Sequence, residues 1–249
     1  MPISLFSCPT LGLAADAQPK IVTPLGTLTL DAEFDGVLIG DLKPSAAHQL
    51  ERGGYRFSWT LDGFTAELLL CRPRFSLPAG MAVDDCWAGI WRLRTSVVNE
   101  RPEFSCLWEP DSLWTERTGP ESGEGLDAQT WENGSVRVTV GTVDTDWLSG
   151  HANRGLLPSR WADLLGWADG GIGADRDTGK IDPVVYLENG FRLVLPMLKA
   201  GEQCQVQFVA AWSGKPSGDG DANTDRNAIS TWFAVDRSPE EILVGTGCS

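Results

Sequence analysis

Chemistry in this chain is concentrated in one polar stretch, residues 143–154, which reads VDTDWLSGHANR. Two carboxylates, Asp144 and Asp146, lie there beside the indole of Trp147 and the imidazole of His151. Carboxylates and imidazoles transfer protons or bind polar ligands, and an exposed indole offers a flat apolar surface to a ligand. We interpret the stretch as a polar loop and predict that these four residues line a ligand-binding site.

Tryptophan is the most informative residue type, with 11 residues against two tyrosines. Three occur within apolar strands and are expected in the core: Trp59, Trp212 and Trp232. Six lie near turns, loops or a helix: Trp108, Trp114, Trp131, Trp147, Trp161 and Trp167. Tryptophan is a favoured anchor in binding sites because it is large, rigid and amphipathic. We therefore add Trp108, Trp114 and Trp161 to the candidate ligand-binding residues, with covering of the core as the alternative role.

Metal sites are not favoured by the sequence. His48 and His151 are the two histidines, and neither begins an H-x-D or H-x-E motif of the kind that binds iron, because Leu50 and Asn153 occupy the third position. The stretch 219–225 imitates the first half of an EF-hand loop but lacks its glycine and its final acid. We predict no metal and no cofactor.

Motifs of common enzyme classes are missing: the sequence has no G-x-S-x-G, P-loop or G-x-G-x-x-G. Acid pairs that could serve glycoside hydrolysis are Asp84 with Asp85, Glu100 with Glu103, and Asp144 with Asp146. Retaining hydrolysis needs two carboxyl groups about 5–5.5 Å apart, a geometry that sequence spacing does not specify. Any acidic chain offers such pairs, so the sequence favours a binding protein over an enzyme.

The formal net charge of -14 restricts the partners of this chain. Phosphate backbones and anionic lipids repel such a charge, so we predict neither a nucleic-acid partner nor a membrane partner. No run of 18 apolar residues is present, so no membrane-spanning helix is expected. A partner selected by charge would be neutral or basic.

The six cysteines are distributed along the whole chain: Cys8, Cys71, Cys86, Cys106, Cys204 and Cys248. None forms a CxxC pair, which argues against a zinc knuckle or a thioredoxin-like site. Cys71 and Cys204 lie in apolar strands, where a reduced cysteine packs as a small hydrophobe. Their number permits three disulfides, but we predict reduced thiols and a cytoplasmic protein. Secretion is the less favoured alternative, because residues 1–17 lack the basic start of a signal peptide.

Residues 184–213 contain the strongest fold signal. Two alternating apolar runs flank Asn189-Gly190, a dipeptide that favours a two-residue hairpin turn. Residues 199–202 then lead into a third run, in which Cys204, Val206 and Phe208 share one face. We predict an antiparallel three-stranded meander at the centre of the domain.

Turn residues divide the rest of the chain into further predicted strands: 20–30, Tyr55–Leu61, Phe64–Cys71, 85–98, 136–140 and 231–235. Asp62-Gly63 and Asn133-Gly134 predict two more hairpins. Helix signals are confined to residues 158–168 and to a Ser238-Pro239 start.

Short strands separated by turns predict an all-β fold, an antiparallel β-sandwich or open barrel with one or two short helices. No repeat or linker divides the sequence, so residues 1–249 are predicted to form a single domain. Long polar loops are predicted near 109–130 and 213–227.

Two functions remain open on these observations. The first is a non-catalytic protein that binds a peptide or protein segment, in a Trp-lined groove or at a sheet edge, and presents it to a partner enzyme. The alternative is a carbohydrate-binding sandwich or an accessory domain of a glycoside hydrolase. Residues 198–202 (LKAGE) and the strand that leads to Trp212 resemble strands in the sandwich domains of some glycosidases. Homodimerisation is compatible with either function.

Overall fold

The protein folds into two antiparallel sheets that pack face to face, as predicted for a β-sandwich. The structure is a computed structural model, and it describes residues 4–118, 121–123, 125–166, 173–174, 180–215 and 221–248.

The larger sheet has ten strands. Their spatial order is β1 (Thr10–Leu13), β5 (Ala46–Leu50), β6 (Tyr55–Leu61), β7 (Phe64–Cys71), β8 (Asp85–Thr95), β18 (Gln203–Gly214), β13 (Val136–Val143), β12 (Leu126–Glu132) and β10 (Glu116–Arg117), with β11 (Glu121–Gly123) also on β12.

The smaller sheet has six strands. They are β16 (Val184–Leu187), β17 (Gly190–Val194), β9 (Glu103–Trp108), β3 (Gly26–Phe34) and β2 (Lys20–Thr23), with β4 (Val37–Leu38) on β3. A separate ribbon pairs β14 (Gly173–Ala174) with β15 (Ile181–Asp182). The described helices are α1 (Thr145–Asn153), α2 (Asp221–Val235) and α3 (Pro239–Thr246), one more than the largest number predicted.

Strand β18 is the central element of the larger sheet, because it pairs with β8 on one side and with β13 on the other. Its odd and even residues face opposite sides, and all residues 204–212 are buried. Val206 and Phe208 pack in the core between the sheets, whereas Val209 and Ala211 belong to a second apolar cluster on the outer face. The larger sheet is therefore covered on both faces.

Aromatic side chains fill much of the space between the sheets. The rings of Trp59 and Trp91 lie 5.4 Å apart, and Phe104 of the smaller sheet lies 6.2 Å from Trp91. Trp59 and Trp212 are buried, which confirms the prediction for these two residues. Packed sheets lie about 10 Å apart, and side chains of this size suit that distance.

The outer face of the larger sheet carries the second apolar cluster. Leu69 and Ile90 of the sheet pack with Ala234 of α2 and Ile242 of α3. Helix α3 begins as predicted, with Ser238 and Glu241 forming a reciprocal capping box. The two helices thus form a third layer over part of this face.

The predicted hairpins are present, but two turns differ. Between β12 and β13 the backbone N–H of Asn133 donates to the carbonyl of Val136, so the turn residues are Gly134 and Ser135.

The turn between β16 and β17 is the second that differs. Leu187 pairs with Gly190, so the two turn residues are Glu188 and Asn189. Gly190 begins β17 with φ +145°, and a Cβ atom there would lie 2.1 Å from the carbonyl oxygen of Cys106. The glycine is required by its close approach to β9 rather than by a type I′ turn.

The three-stranded meander is wrong in its third strand. β16 and β17 pair in the smaller sheet, whereas β18 belongs to the larger sheet. Residues 195–202 carry the chain from one sheet to the other. Burial of β18 on both faces explains the difference, because such a strand suits the centre of a sheet with a layer on each side.

The prediction of a strand over residues 231–235 is also wrong, because these residues form the C-terminal end of α2. Ser230, Thr231, Ala234 and Val235 are buried, and their spacing is that of one helical face. The loop predicted over 213–227 is replaced by the end of β18 and, from Asp221, by α2, while residues 216–220 lie outside the described ranges. The helix thus covers β13 and β18.

Two further predictions need correction. Residues 158–168 contain a short 3-10 helix at Ser159–Trp161 instead of an α-helix, and the residues from 167 onward lie outside the described ranges. Strands β10, β11 and most of β12 occupy the loop predicted near 109–130. Edge pairing with β12 orders this polar segment despite its low apolar content.

The prediction of reduced thiols is wrong for two of the six cysteines, because Cys8 and Cys248 form a disulfide. Disulfides are typical of oxidising environments. The other four cysteines are free and buried. Burial raises the pKa of the Cys71 and Cys106 thiols to about 12, and it also raises the pKa of Cys86 and Cys204. Such thiols are poor nucleophiles.

Thiol labelling tests this assignment. We expect the native, oxidised protein to show no reaction with Ellman's reagent at pH 8, because its four free thiols are buried. Unfolding without reductant should release four reactive thiols, and unfolding after reduction should release two more. Six reactive thiols without reductant would rule out the disulfide.

Candidate functional site

A cavity of about 260 Å³ opens where α1, β13, β18 and the start of α3 meet. The polar and aromatic side chains that line it include Trp147 and His151 of α1, Gln207 of β18, and Arg237 and Glu241 near the start of α3. The cavity lies on the outer face of the larger sheet, beside the helical layer. It brings together two of the residues predicted from sequence.

Helix α1 positions both of those residues, although the sequence predicted a polar loop here. Asp144 is the N-cap, and its carboxylate accepts a hydrogen bond from the backbone N–H of Trp147 at 2.8 Å. Leu148, His151 and Ala152 are buried at helical spacing, which anchors one face of α1. The helical spacing places Trp147 and His151 one turn apart on neighbouring positions of the same face.

Trp147 is the exposed member of the site, with 46% of its surface accessible. Its indole lies against Gly125, where a Cβ atom would fall 2.3 Å from the indole nitrogen. The guanidinium of Arg154 lies 5.6 Å from the ring centroid. Both contacts fix the ring at the mouth of the cavity while leaving much of it accessible.

His151 is 1% exposed, and neither ring nitrogen has a hydrogen-bond partner within the described structure. Burial, reinforced by the charge of Arg154 and opposed by Glu240, lowers the pKa of His151 to about 4. The imidazole is therefore neutral at pH 7, with one nitrogen as donor and the other as acceptor. A buried polar group without a partner is costly, and His151 also lines the cavity, so a ligand bound there could supply the missing partners.

Gln207 and Arg237 supply two further unpartnered atoms. The side-chain amide of Gln207 donates to the backbone carbonyl of Arg237, which leaves the Gln207 Oε1 atom without a partner among the described residues. The guanidinium of Arg237 donates to Glu241 at 3.1 Å and to the carbonyl of Phe233, but its Nε is unpartnered in the same sense. The cavity thus combines donors and acceptors.

This arrangement suits a ligand that carries several hydroxyl groups. Each hydroxyl donates one hydrogen bond and accepts others, so several hydroxyls together can satisfy the acceptors on Gln207 and His151 and the donors on Arg237 and His151. Trp147 adds a flat apolar surface beside them. The cavity volume of about 260 Å³ lies just below the range of about 300–1,000 Å³ for drug-sized ligands, which indicates a small ligand.

The carboxylate of Glu241 has a structural role in this cavity. One oxygen accepts the Arg237 guanidinium, and the other accepts the backbone N–H of Ser238 at 2.8 Å. Both oxygens are therefore engaged in fixing the start of α3. Hydrolysis of a glycoside would require a pair of carboxyl groups free to act on the bond, and Glu241 does not supply one of them.

The other candidate residues lie apart from the cavity. Asp146 is exposed in the first turn of α1, and Asp144 caps that helix. Trp108 and Trp161 are 4% and 0% exposed, and both belong to the core between the sheets. Trp114 is half-buried and packs against that core.

Sequence reasoning missed Gln207 and Arg237. A signal for Gln207 was present, because Gln203, Gln205 and Gln207 alternate with apolar residues in a strand predicted to be central. Glutamine at every second position of a buried strand indicates a polar strip on one face. Arg237 follows α2, whose last five residues were predicted to be a strand, so no feature of the sequence indicated that Arg237 would lie beside Gln207.

The described part of the chain contains no cluster of three or more His, Cys, Asp or Glu side chains placed to hold a metal ion. Within the same ranges, no helix combines the length and apolar character needed to cross a bilayer.

No protein-family model matches the chain, and no curated protein matches it. Its fold is similar to a solved structure described as "Putative kojibiose phosphorylase from human microbiome", with a TM-score of 0.50 and 7% sequence identity. The similarity covers 97% of this chain but 30% of that one. The chain thus spans less than a third of that protein's length, and at this identity the likeness shows the fold alone.

The lowered pKa of His151 predicts a pH-dependent stability. Between pH 6.5 and 4 the unfolded chain binds a proton that the folded chain excludes, so the free energy of unfolding falls as the pH falls. From pH 7 to pH 4.5 the wild type should lose about 2 kcal/mol more than His151→Asn, as measured by urea unfolding.

His48→Asn, which removes the other histidine, serves as the matched control. An equal slope for wild type and His151→Asn would show that His151 titrates normally in the fold.

Proposed function

We propose that the cavity beside Trp147 binds one sugar ring of a neutral carbohydrate and that the protein is a non-catalytic carbohydrate-recognition module. The observation that carries this proposal is the placement of an exposed indole beside two buried side chains, His151 and Gln207, and the partly buried Arg237, each with an unpartnered polar atom among the described residues. Sugars present an apolar ring face and a rim of hydroxyl groups, and this cavity offers complementary groups for both.

The charge of the site supports a neutral ligand. His151 is uncharged at pH 7, and the guanidinium of Arg237 is already paired with Glu241. An anionic ligand would meet a chain of net charge -14, and a cationic ligand would compete with Arg237 for Glu241. A neutral polyhydroxylated ligand avoids both costs.

The fold adds limited support. The similar solved structure carries the name of a kojibiose phosphorylase, so this type of sandwich occurs in a protein with a carbohydrate-related name. Peptide binding in a Trp-lined groove has less support, because Trp108 and Trp161 are enclosed in the core and offer no surface to a peptide.

Calorimetric titration with glucose, galactose, mannose and kojibiose tests the proposal. We expect at least one of them to bind with a Kd of about 0.1–1 mM, which corresponds to a binding free energy of about −4 to −5.5 kcal/mol. Trp147→Ala should remove detectable binding, and Gln207→Met should weaken it about tenfold, because a hydrogen bond to a buried acceptor is lost. Bound sugar should also shift the fluorescence of the wild type.

Trp87→Phe is the matched control, because Trp87 is half-buried outside the cavity and stacks under Arg72 at 4.6 Å. This variant should bind sugar as the wild type does. Sugar binding that survives Trp147→Ala would place the site elsewhere, and failure of all four sugars at 10 mM, about ten times the weakest expected Kd, would reject the proposed function.

A further inference from the structure

Residues 4–6 lie on the outer face of the larger sheet outside any strand, and side chains hold their backbone. The backbone N–H groups of Leu5 and Phe6 both donate to Glu67, at 3.0 and 2.8 Å. The carbonyl of Leu5 accepts from Arg92 at 2.7 Å, and that of Phe6 accepts from Arg56 at 3.0 Å. Three charged side chains thus bind two donors and two acceptors of this short segment. We call these side chains, Glu67, Arg92 and Arg56, the clamp.

The sheet register places the clamp. Ser58, Glu67, Arg92 and Gln205 are directly opposite one another on the neighbouring strands β6, β7, β8 and β18. Ser58 donates to Glu67 at 3.1 Å, and Arg92 donates to Gln205 at 2.7 Å. The result is a polar row across four strands on the face that carries apolar residues under the helices.

A buried charged side chain in this row destabilises the fold unless it has hydrogen-bond partners. Glu67 is 3% exposed, so its carboxylate needs hydrogen-bond partners that compensate for the lost water. Most of its hydrogen bonds come from residues 4–6 rather than from the sheet. An apolar row would stabilise the sheet at lower cost, whereas this row is suited to bind the backbone of an extended segment.

An open cavity borders the clamp beside residues 4–6. A cavity of about 220 Å³ lies beside Leu5 and is lined by Arg92, Gln205 and Leu156. Gln205 is 4% exposed, and its side-chain amide nitrogen has no partner among the described residues. The Nε of Arg56 is unpartnered in the same sense. These unfilled donors indicate that residues 4–6 occupy the site incompletely.

Phe6 and the disulfide fix the segment in place. Phe6 is fully buried in the outer apolar cluster, with the guanidinium of Arg92 4.1 Å from its ring centroid. Cys8, two residues later, is joined to Cys248 just after α3. The disulfide therefore ties the occupant to the helical layer that covers the rest of the same face.

We propose that the clamp is a binding site for an extended peptide, that residues 4–6 are its intramolecular occupant, and that the Cys8–Cys248 disulfide keeps this occupant in place. The ligand is an uncharged segment with an aromatic side chain at the position of Phe6. A side-chain carbonyl at the position of Leu5 would reach the unfilled donor of Gln205. This site is separate from the carbohydrate cavity and does not depend on it.

The test uses the full-length chain with its own occupant loosened by Phe6→Ala and Cys8→Ser. The probe is fluorescein-labelled acetyl-Ser-Leu-Phe-Ser-amide, the sequence of residues 4–7, and the readout is fluorescence anisotropy. We expect this open variant to bind the peptide and the disulfide-closed wild type not to bind it. Adding Glu67→Gln should weaken binding at least about tenfold, because two charge-assisted hydrogen bonds depend on the carboxylate.

Glu100→Gln in the open variant is the matched control, because Glu100 is an exposed acid outside the clamp, and it should leave the affinity unchanged. A peptide with Gln in place of Leu should bind more tightly; equal affinity would remove the cavity from the site. A folded open variant that binds no peptide, or binding that Glu67→Gln weakens no more than Glu100→Gln, would reduce residues 4–6 to a structural tether.

If the open variant does not fold, amide hydrogen exchange in the wild type tests whether a peptide displaces residues 4–6. Excess unlabelled peptide should accelerate exchange at Leu5 and Phe6 after the disulfide is reduced, because the peptide displaces the occupant from Glu67. Before reduction it should have no effect. Unchanged exchange at both amides in the reduced protein would overturn the proposal.

Discussion

The two-sided burial of β18 is the constraint on which the rest of the structure depends. Its inward residues, such as Val206 and Phe208, close the sandwich against the smaller sheet, and its outward residues Val209 and Ala211 require a second cover. Helices α2 and α3 supply that cover. Because side chains alternate along a strand, the same backbone then presents its remaining outward residues as a strip beside the helical layer.

That strip explains why both proposed sites lie on one face. Gln205 and Gln207 are two positions apart, so their side chains leave the sheet about 7 Å from each other. Pairing of β13 with β18 ends at Phe208, and the backbone N–H of Gln205 instead donates to the carbonyl of Leu156. The loop that replaces β13 leaves room for a cavity on each side. One is bordered by the clamp and the other by α1.

Turn and cap residues in the sequence predicted hairpins and a helix start correctly, but they did not predict which distant strands pair. The Asp62-Gly63 turn and the Ser238 cap depend on backbone geometry within four residues, and both are present. Alternation in β18 was recognised, but alternation reports burial and not the partner strand, so the strand was placed in the wrong sheet. For the site, Trp147 and His151 follow from the polar stretch that contains them, whereas Arg237 reaches the cavity through a turn between two helices.

The number of tryptophans indicated the candidate sites less well than the buried polar atoms that lack hydrogen-bond partners among the described residues. Of the described tryptophans, Trp147 alone is exposed, and most others fill the space between or beside the sheets. A large side chain satisfies a core as readily as a ligand, so its presence does not distinguish the two roles. An unpartnered polar atom alone does not distinguish them either, because the indole nitrogens of Trp91, Trp108 and Trp161 lack partners among the described residues within the core. The distinction comes from an unpartnered atom on a residue that also lines a cavity. By that criterion His151, Gln207 and Gln205 are the candidate binding residues, while Asp144, which caps α1, and Glu241, whose two oxygens are engaged, belong to the structure that holds them.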